Sequence, residues 1–206
     1  MNTPSIAPLL ALVVASLAAP LTLAEEQSAS EDSRRKSRAT LRLTDVSGKT
    51  HAPFESKQSL GVALIFVSNT CPIANTFQPT LQELGAKWQE RGIPFYLVYS
   101  SDRLSAGDIR THVKDFKIQV PAIPDRSQKL ARLTEAKVTP EAIVIDREGR
   151  IRYRGLINNL YAGYGKKRVR ATQHFLNDAC ESVANGTVVK VPSTKPLGCF
   201  IQYAGK

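Results

Sequence analysis

Three cysteines, Cys71, Cys180 and Cys199, are the residues of this 206-residue chain best suited to chemistry, and their settings differ. Cys71 follows the apolar run at 63–67, precedes Pro72, and opens a helical pattern of Ile73, Phe77, Leu81, Leu84 and Trp88. At a strand-to-helix junction, unpaired backbone N–H groups and the positive end of the helix dipole favour thiolate over thiol. The thiolate is the form that attacks disulfides and peroxides. A Cys-x-x-Cys motif would place a second cysteine at 74, where Ala74 stands. The pattern is that of a redox thiol whose adjacent partner has been removed.

The elements that must position this thiol are legible from their periodicity. Residues 63–68 form a continuous apolar strand, as expected when both sheet faces are covered. The helix after Cys71 should run to Arg91, where Gly92 stops it and Pro94 prevents its resumption. Residues 95–99 read as a second buried strand, and 105–116 as a helix with Ser105 as N-cap. Residues 142–145 form a third strand, and Asp146-Arg147-Glu148-Gly149 turns the chain into 151–153. A last helix is expected over 166–183, with Val169, Thr172, Leu176, Ala179 and Val183 on one face. This order describes an α/β domain, a central mixed sheet with helices on both faces.

At this point the chain resembles the thioredoxin fold, in the redoxin branch grouped with alkyl hydroperoxide reductases and peroxiredoxins. The matching pieces are the strand-Cys71-Pro72-helix unit, Thr139-Pro140 before a strand, and the hairpin at 144–151. The narrower resemblance is to exported peroxiredoxin-like proteins with one cysteine at the active-site position. It rests on Tyr153-Arg154-Gly155, Thr172-Gln173-His174 and Pro196-Leu197-Gly198-Cys199-Phe200-Ile201. Asn158 and Asn159 stand where that group carries acids. The resemblance implies that Pro140 is cis, faces the reactive sulfur and shapes a substrate groove. It also implies a Thr or Ser three residues before a peroxidatic cysteine, a Pro seven before, and an arginine nearby. Ser68 fits the first position, Leu64 occupies the second, and Arg154 is the candidate for the third.

An odd cysteine count in an exported chain leaves one thiol over. Cys180 follows Leu176 by four residues on an apolar helix face and reads as a buried thiol. Cys199 sits in a tail with no packing role of its own, so a Cys71–Cys199 disulfide is the leading expectation and Cys180–Cys199 the alternative. The expected function is thiol-dependent oxidoreduction of disulfides or peroxides through Cys71, resolved by Cys199, with Pro140 and Ser68 completing the site. The partners are then a thiol or disulfide protein or a peroxide, with no cofactor or metal. Two other readings use the same residues: a copper(I) carrier ligated by Cys71, Cys199 and His174, or a non-catalytic binding module. His51 and His112 read as plain surface residues.

The ends of the chain bound the rest. Residues 1–24 carry no charged side chain and end in Thr22-Leu23-Ala24, as in a cleaved secretory signal; an uncleaved anchor is the competing reading and the only expected membrane contact. Residues 25–39 are polar and charged, a disordered tether, and 40–206 form the domain. Net charge is +10, but export argues against nucleic acid, and the basic run at 166–170 has no aromatic residues interleaved for base stacking.

Overall fold

The computed structural model describes residues 19–205. Contacts divide the chain into Met1–Ser33 and Arg34–Lys206, and the sheet, its helices and all three cysteines lie in the second unit. Helix α1 spans Ala19–Ala39; the short strands β1 (Leu43–Thr44) and β2 (Thr50–His51) pair with each other. Then follow β3 (Gly61–Phe66), α2 (Pro72–Thr76), α3 (Gln78–Glu90), β4 (Phe95–Tyr99), α4 (Ala106–Asp115), β5 (Ala122–Pro124) and α5 (Lys129–Thr134). The second half holds β6 (Val138–Thr139), β7 (Glu141–Asp146), β8 (Ile151–Gly155), β9 (Tyr161–Gly163), β10 (Lys166–Lys167), α6 (Phe175–Ala184) and β11 (Cys199–Phe200).

The central sheet has the order β5-β4-β3-β7-β8, with β3, β4 and β5 parallel and β7 and β8 antiparallel to their neighbours. Side-chain alternation along β3 builds two cores from one strand. Ala63 and Ile65 join Leu81, Trp88, Ile109, Leu176 and Val183 on one face. Val62, Leu64 and Phe66 join Leu130, Ala131 and Ile201 on the other. The mixed sheet covered on both faces is therefore the expected one.

Three expectations need correction. Residues 25–39, read as a disordered tether, lie within α1. The end of that helix is held because Arg38, 1% exposed, donates from Nε to the Gly149 carbonyl and from Nη1 to that of Leu133. Composition shows a charged segment but not that one guanidinium has buried acceptors waiting for it. The expected signal at 1–24 lies mostly outside the described residues. Second, the helix after Cys71 is broken at Phe77, because Pro79 lacks the N–H that a continuous helix would need there and instead opens α3.

Third, the last helix begins at Phe175, not 166. The preceding residues form the β9–β10 hairpin, whose turn uses Gly165 at φ 71°, a region that L side chains rarely adopt. Asn159 then latches the segment, its Oδ1 accepting from the N–H groups of Thr172 and Gln173 at 2.8 and 3.1 Å. Val169, expected on the apolar face, is fully exposed. Asn158 likewise accepts the Leu160 N–H, so both asparagines are structural.

Asp45 anchors the β1–β2 turn, accepting from Ser47, Lys49 and His51. Burial by itself would raise its carboxyl, but the hydrogen bonds from His51 and Ser47 outweigh this and hold it at about 2. A carboxyl depressed from 3.8 contributes stability above the unfolded value and loses it as pH falls through about 2. The contribution is about 2 kcal/mol at neutral pH. Asp45→Asn is therefore expected to lower the urea midpoint at pH 6 and to converge on the wild type near pH 2.

Candidate active site

The Cys71 loop is built by the end of β3. The Ser68 carbonyl accepts the Cys71 N–H at 3.3 Å, and Cys71 caps α2 with extended backbone while Pro72 occupies the first turn. The Thr139–Pro140 peptide is cis, as the resemblance implied. The Thr139 carbonyl lies 3.0 Å from Cys71 Sγ and accepts its thiol hydrogen.

The tail completes the arrangement. β11 runs antiparallel along β6 with Cys199 opposite Thr139 and Phe200 opposite Val138. This sets Cys199 Sγ 3.0 Å from Cys71 Sγ. That distance exceeds a covalent bond of about 2.05 Å, so the pair are thiols in contact. The strap is pinned on both sides. Tyr164 donates to the Gly198 carbonyl at 2.7 Å, Tyr203 to Ala136 at 2.5 Å, and Gln128 Nε2 to Gln202 at 2.6 Å.

The two thiols are electrostatically unequal. Burial pushes the Cys71 thiol up, but hydrogen bonds from the Cys199 thiol and the N–H groups of Ala74 and Cys199 reverse this, and its pKa lies below the usual thiol value. Cys199 is raised to about 11, first by burial and then by the Cys71 sulfur beside it. Cys180 is fully buried in the α6 face, and that burial pushes its thiol up despite the favourable charge of Lys87. It is packing, as expected, and not a partner for Cys199.

Ser68 and Arg154 are placed differently from what a peroxide site would need. The Ser68 hydroxyl pairs with Thr70 at 3.2 Å and accepts the Thr70 N–H, closing the loop instead of facing Cys71. The Arg154 guanidinium is committed to the carbonyls of Glu135 and Thr134 at the end of α5. A cleft of about 330 Å³ does open beside the pair, lined by Ser68, Thr70, Leu104, Thr139, Phe200 and Arg103 among others. Arg103 escaped the sequence reading because nothing in its spacing ties that loop to Cys71.

His112 was also missed. Far from being a surface residue, it is 5% exposed. Its Nε2 contacts Asn75 Oδ1 at 3.0 Å and its Nδ1 contacts the Tyr99 hydroxyl at 2.9 Å. Asn75 Nδ2 donates to the Asn69 carbonyl at 2.9 Å, which fixes Oδ1 toward the ring; the imidazole therefore carries its proton on Nε2 and accepts from Tyr99. Burial lowers its pKa, opposed by Asp115, and keeps it neutral. The network ties both flanks of Cys71 to β4 and α4. His112→Leu should cost about 2 kcal/mol through the buried partners it strands, measured by chemical denaturation.

His51 is half-buried against Asp45, and His174 starts α6 in a depression sharing no lining residue with the Cys71 cleft. Among the described residues no group of three or more His, Cys, Asp or Glu side chains could hold a metal ion. The copper reading thus loses its imidazole, because His174 lines a depression separate from the cleft beside the two thiols.

The family model described as AhpC/TSA matches residues 37–154. Among solved structures, a hypothetical protein from Sinorhizobium meliloti is 25% identical, covering 81% of this chain and 92% of its own, with a TM-score of 0.69. An uncharacterized conserved protein from Geobacillus kaustophilus is 22% identical, with 81% and 89% covered and a TM-score of 0.69. DsbF of MTB, solved in mixed oxidized and reduced forms, is 12% identical, with 71% and 96% covered and a TM-score of 0.53. No curated protein matches the sequence. The fold is thioredoxin-like, as the resemblance implied.

Proposed function

The chain belongs to the AhpC/TSA family, and from that premise we propose that it is an exported thiol–disulfide oxidoreductase cycling between a Cys71/Cys199 dithiol and disulfide. The observation that carries this reading is the 3.0 Å contact between the two sulfurs, held by strap pairing to the strand before Pro140. When the pair reduces a substrate disulfide, two electrons and two protons leave the dithiol. One sulfur–sulfur bond breaks in the substrate, and the Cys71–Cys199 bond forms. Cys71 supplies the thiolate. The Thr139 carbonyl holds Cys71, strand pairing to Thr139 holds Cys199, Pro140 shapes the substrate groove, and Ser68 shapes the loop beneath the cleft.

Disulfides fit better than peroxides, since neither the Ser68 hydroxyl nor the Arg154 guanidinium is free to polarise a peroxide at Cys71. The test is peptide-mapped alkylation of the protein in glutathione buffers of graded redox poise, alongside turnover with hydrogen peroxide. A Cys71–Cys199 bond that opens and closes across the series, with Cys180 always alkylated only after unfolding, supports the reading. A bond that resists dithiothreitol in the folded protein leaves a stapled binding module, and faster turnover with peroxide than with disulfide makes it a peroxidase.

A further inference from the structure

Resting on that dithiol–disulfide reading, we infer that the external thiol that reduces the oxidised protein bonds to Cys199, with Cys71 as the leaving sulfur. The sequence alone casts Cys71 as the thiol that meets partners and Cys199 as the one that resolves. The structure assigns these roles the other way round.

Thiol–disulfide exchange needs the attacking, central and leaving sulfurs roughly in line. Attack on Cys71 with Cys199 leaving would have to come from behind Cys71, on the side away from the strap. Cys71 is 1% exposed and belongs to the same buried cluster as Val67, Ala74 and Phe77, so protein fills that approach. Attack on Cys199 with Cys71 leaving comes from the strap's outer side, where Cys199 is exposed and its neighbour Phe200 is 72% exposed. Leaving-group chemistry points the same way. A departing thiolate is favoured at Cys71, where the Ala74 N–H still points at the sulfur once Cys199 is bonded to the donor.

The step balances without another reagent. The donor thiolate forms a bond to Cys199 Sγ, the Cys71–Cys199 bond breaks, and its electron pair stays on Cys71 as thiolate. A second donor thiolate then attacks the donor sulfur of the mixed disulfide, and Cys199 leaves and takes up a proton. Run backwards, the Cys71 thiolate closes the ring by attacking a substrate-loaded Cys199. Phe200, beside the acceptor sulfur on the cleft wall, is placed to pack against whatever flanks the incoming thiol.

The test starts from the full chain oxidised to the Cys71–Cys199 disulfide, mixed with glutathione, quenched in acid during reduction and mapped by peptide mass. The expected adduct is on Cys199, in excess over Cys71 by about tenfold or more. Phe200→Glu gives a readout that needs no trapped intermediate. It should slow reduction by anionic glutathione several-fold and speed reduction by cationic cysteamine. Glutathione on Cys71, an even division, or rates indifferent to the charge at 200 would overturn the inference. A chain that never forms the Cys71–Cys199 bond instead fails the dithiol reading beneath it.

Discussion

Gly198→Ala is expected to leave the domain folded and to slow closure of the Cys71–Cys199 bond by about a hundredfold, because it removes the pairing that gives this intramolecular step its high effective concentration. A Cβ at 198 would fall far inside contact distance of the Thr139 carbonyl and 3.0 Å from the Pro140 nitrogen. Both obstacles are backbone, so neither can turn aside. The strap must lift off β6, taking with it the Cys199–Thr139 register that sets the two sulfurs together. The central sheet and the core on the Cys71 face hold no strap residue, and the opposite core draws only Ile201 and the partly buried Tyr203 from it, so the domain keeps its fold. Closure would be followed by acid-quenched alkylation after a pulse of oxidised glutathione, with thermal unfolding as the control. Wild-type closure in this variant would mean that the strap does not set the distance. Collapse of the fold would mean that it is part of the core.

Asp125→Ala should have the largest effect on stability, about 3 kcal/mol or more, roughly a hundredfold in the folding equilibrium. The side chain is 5% exposed and accepts from three donors. These are Leu130 N–H at 3.1 Å, Ala131 N–H at 3.0 Å and the Ser100 hydroxyl at 2.6 Å. It thereby caps α5 from four residues upstream of that helix and ties it to the loop after β4. Alanine would strand two helix N–H groups and a hydroxyl in a site with little water to replace the carboxylate. Asp125→Asn keeps one acceptor oxygen and should fall between the two. Denaturant midpoints for the three proteins at pH 7 check the order. An alanine variant within 1 kcal/mol of the wild type would mean that water enters the site freely.

Much of this was legible from local pattern. The continuous apolar run of β3, the Cys71-Pro72 junction and the Asp146–Gly149 turn each announce themselves within a few residues, because strand burial, helix capping and turn geometry are local constraints. The Ser105 N-cap was readable for the same reason, and its capping box with Asp108 is formed. What misled was also local: a helical period at 166–183 concealed the hairpin that turns at Gly165, and a charged segment hid the one arginine that is buried.

The sequence by itself determined the sheet, the thiol at the head of α2 and the absence of a second cysteine three residues on. It named Cys199 as a tail thiol without a packing role, and Pro140 only through resemblance. Tertiary structure alone decided that Cys199, 128 residues from Cys71, comes to 3.0 Å from its sulfur. It also decided that His112 is buried against Asn75 and that Arg154 turns to α5. The reason is one of range. Hydrophobic period and capping act between neighbours in the chain. A two-residue strand pairing, a buried hydrogen bond and the direction from which a sulfur can be attacked exist only once distant segments share a surface.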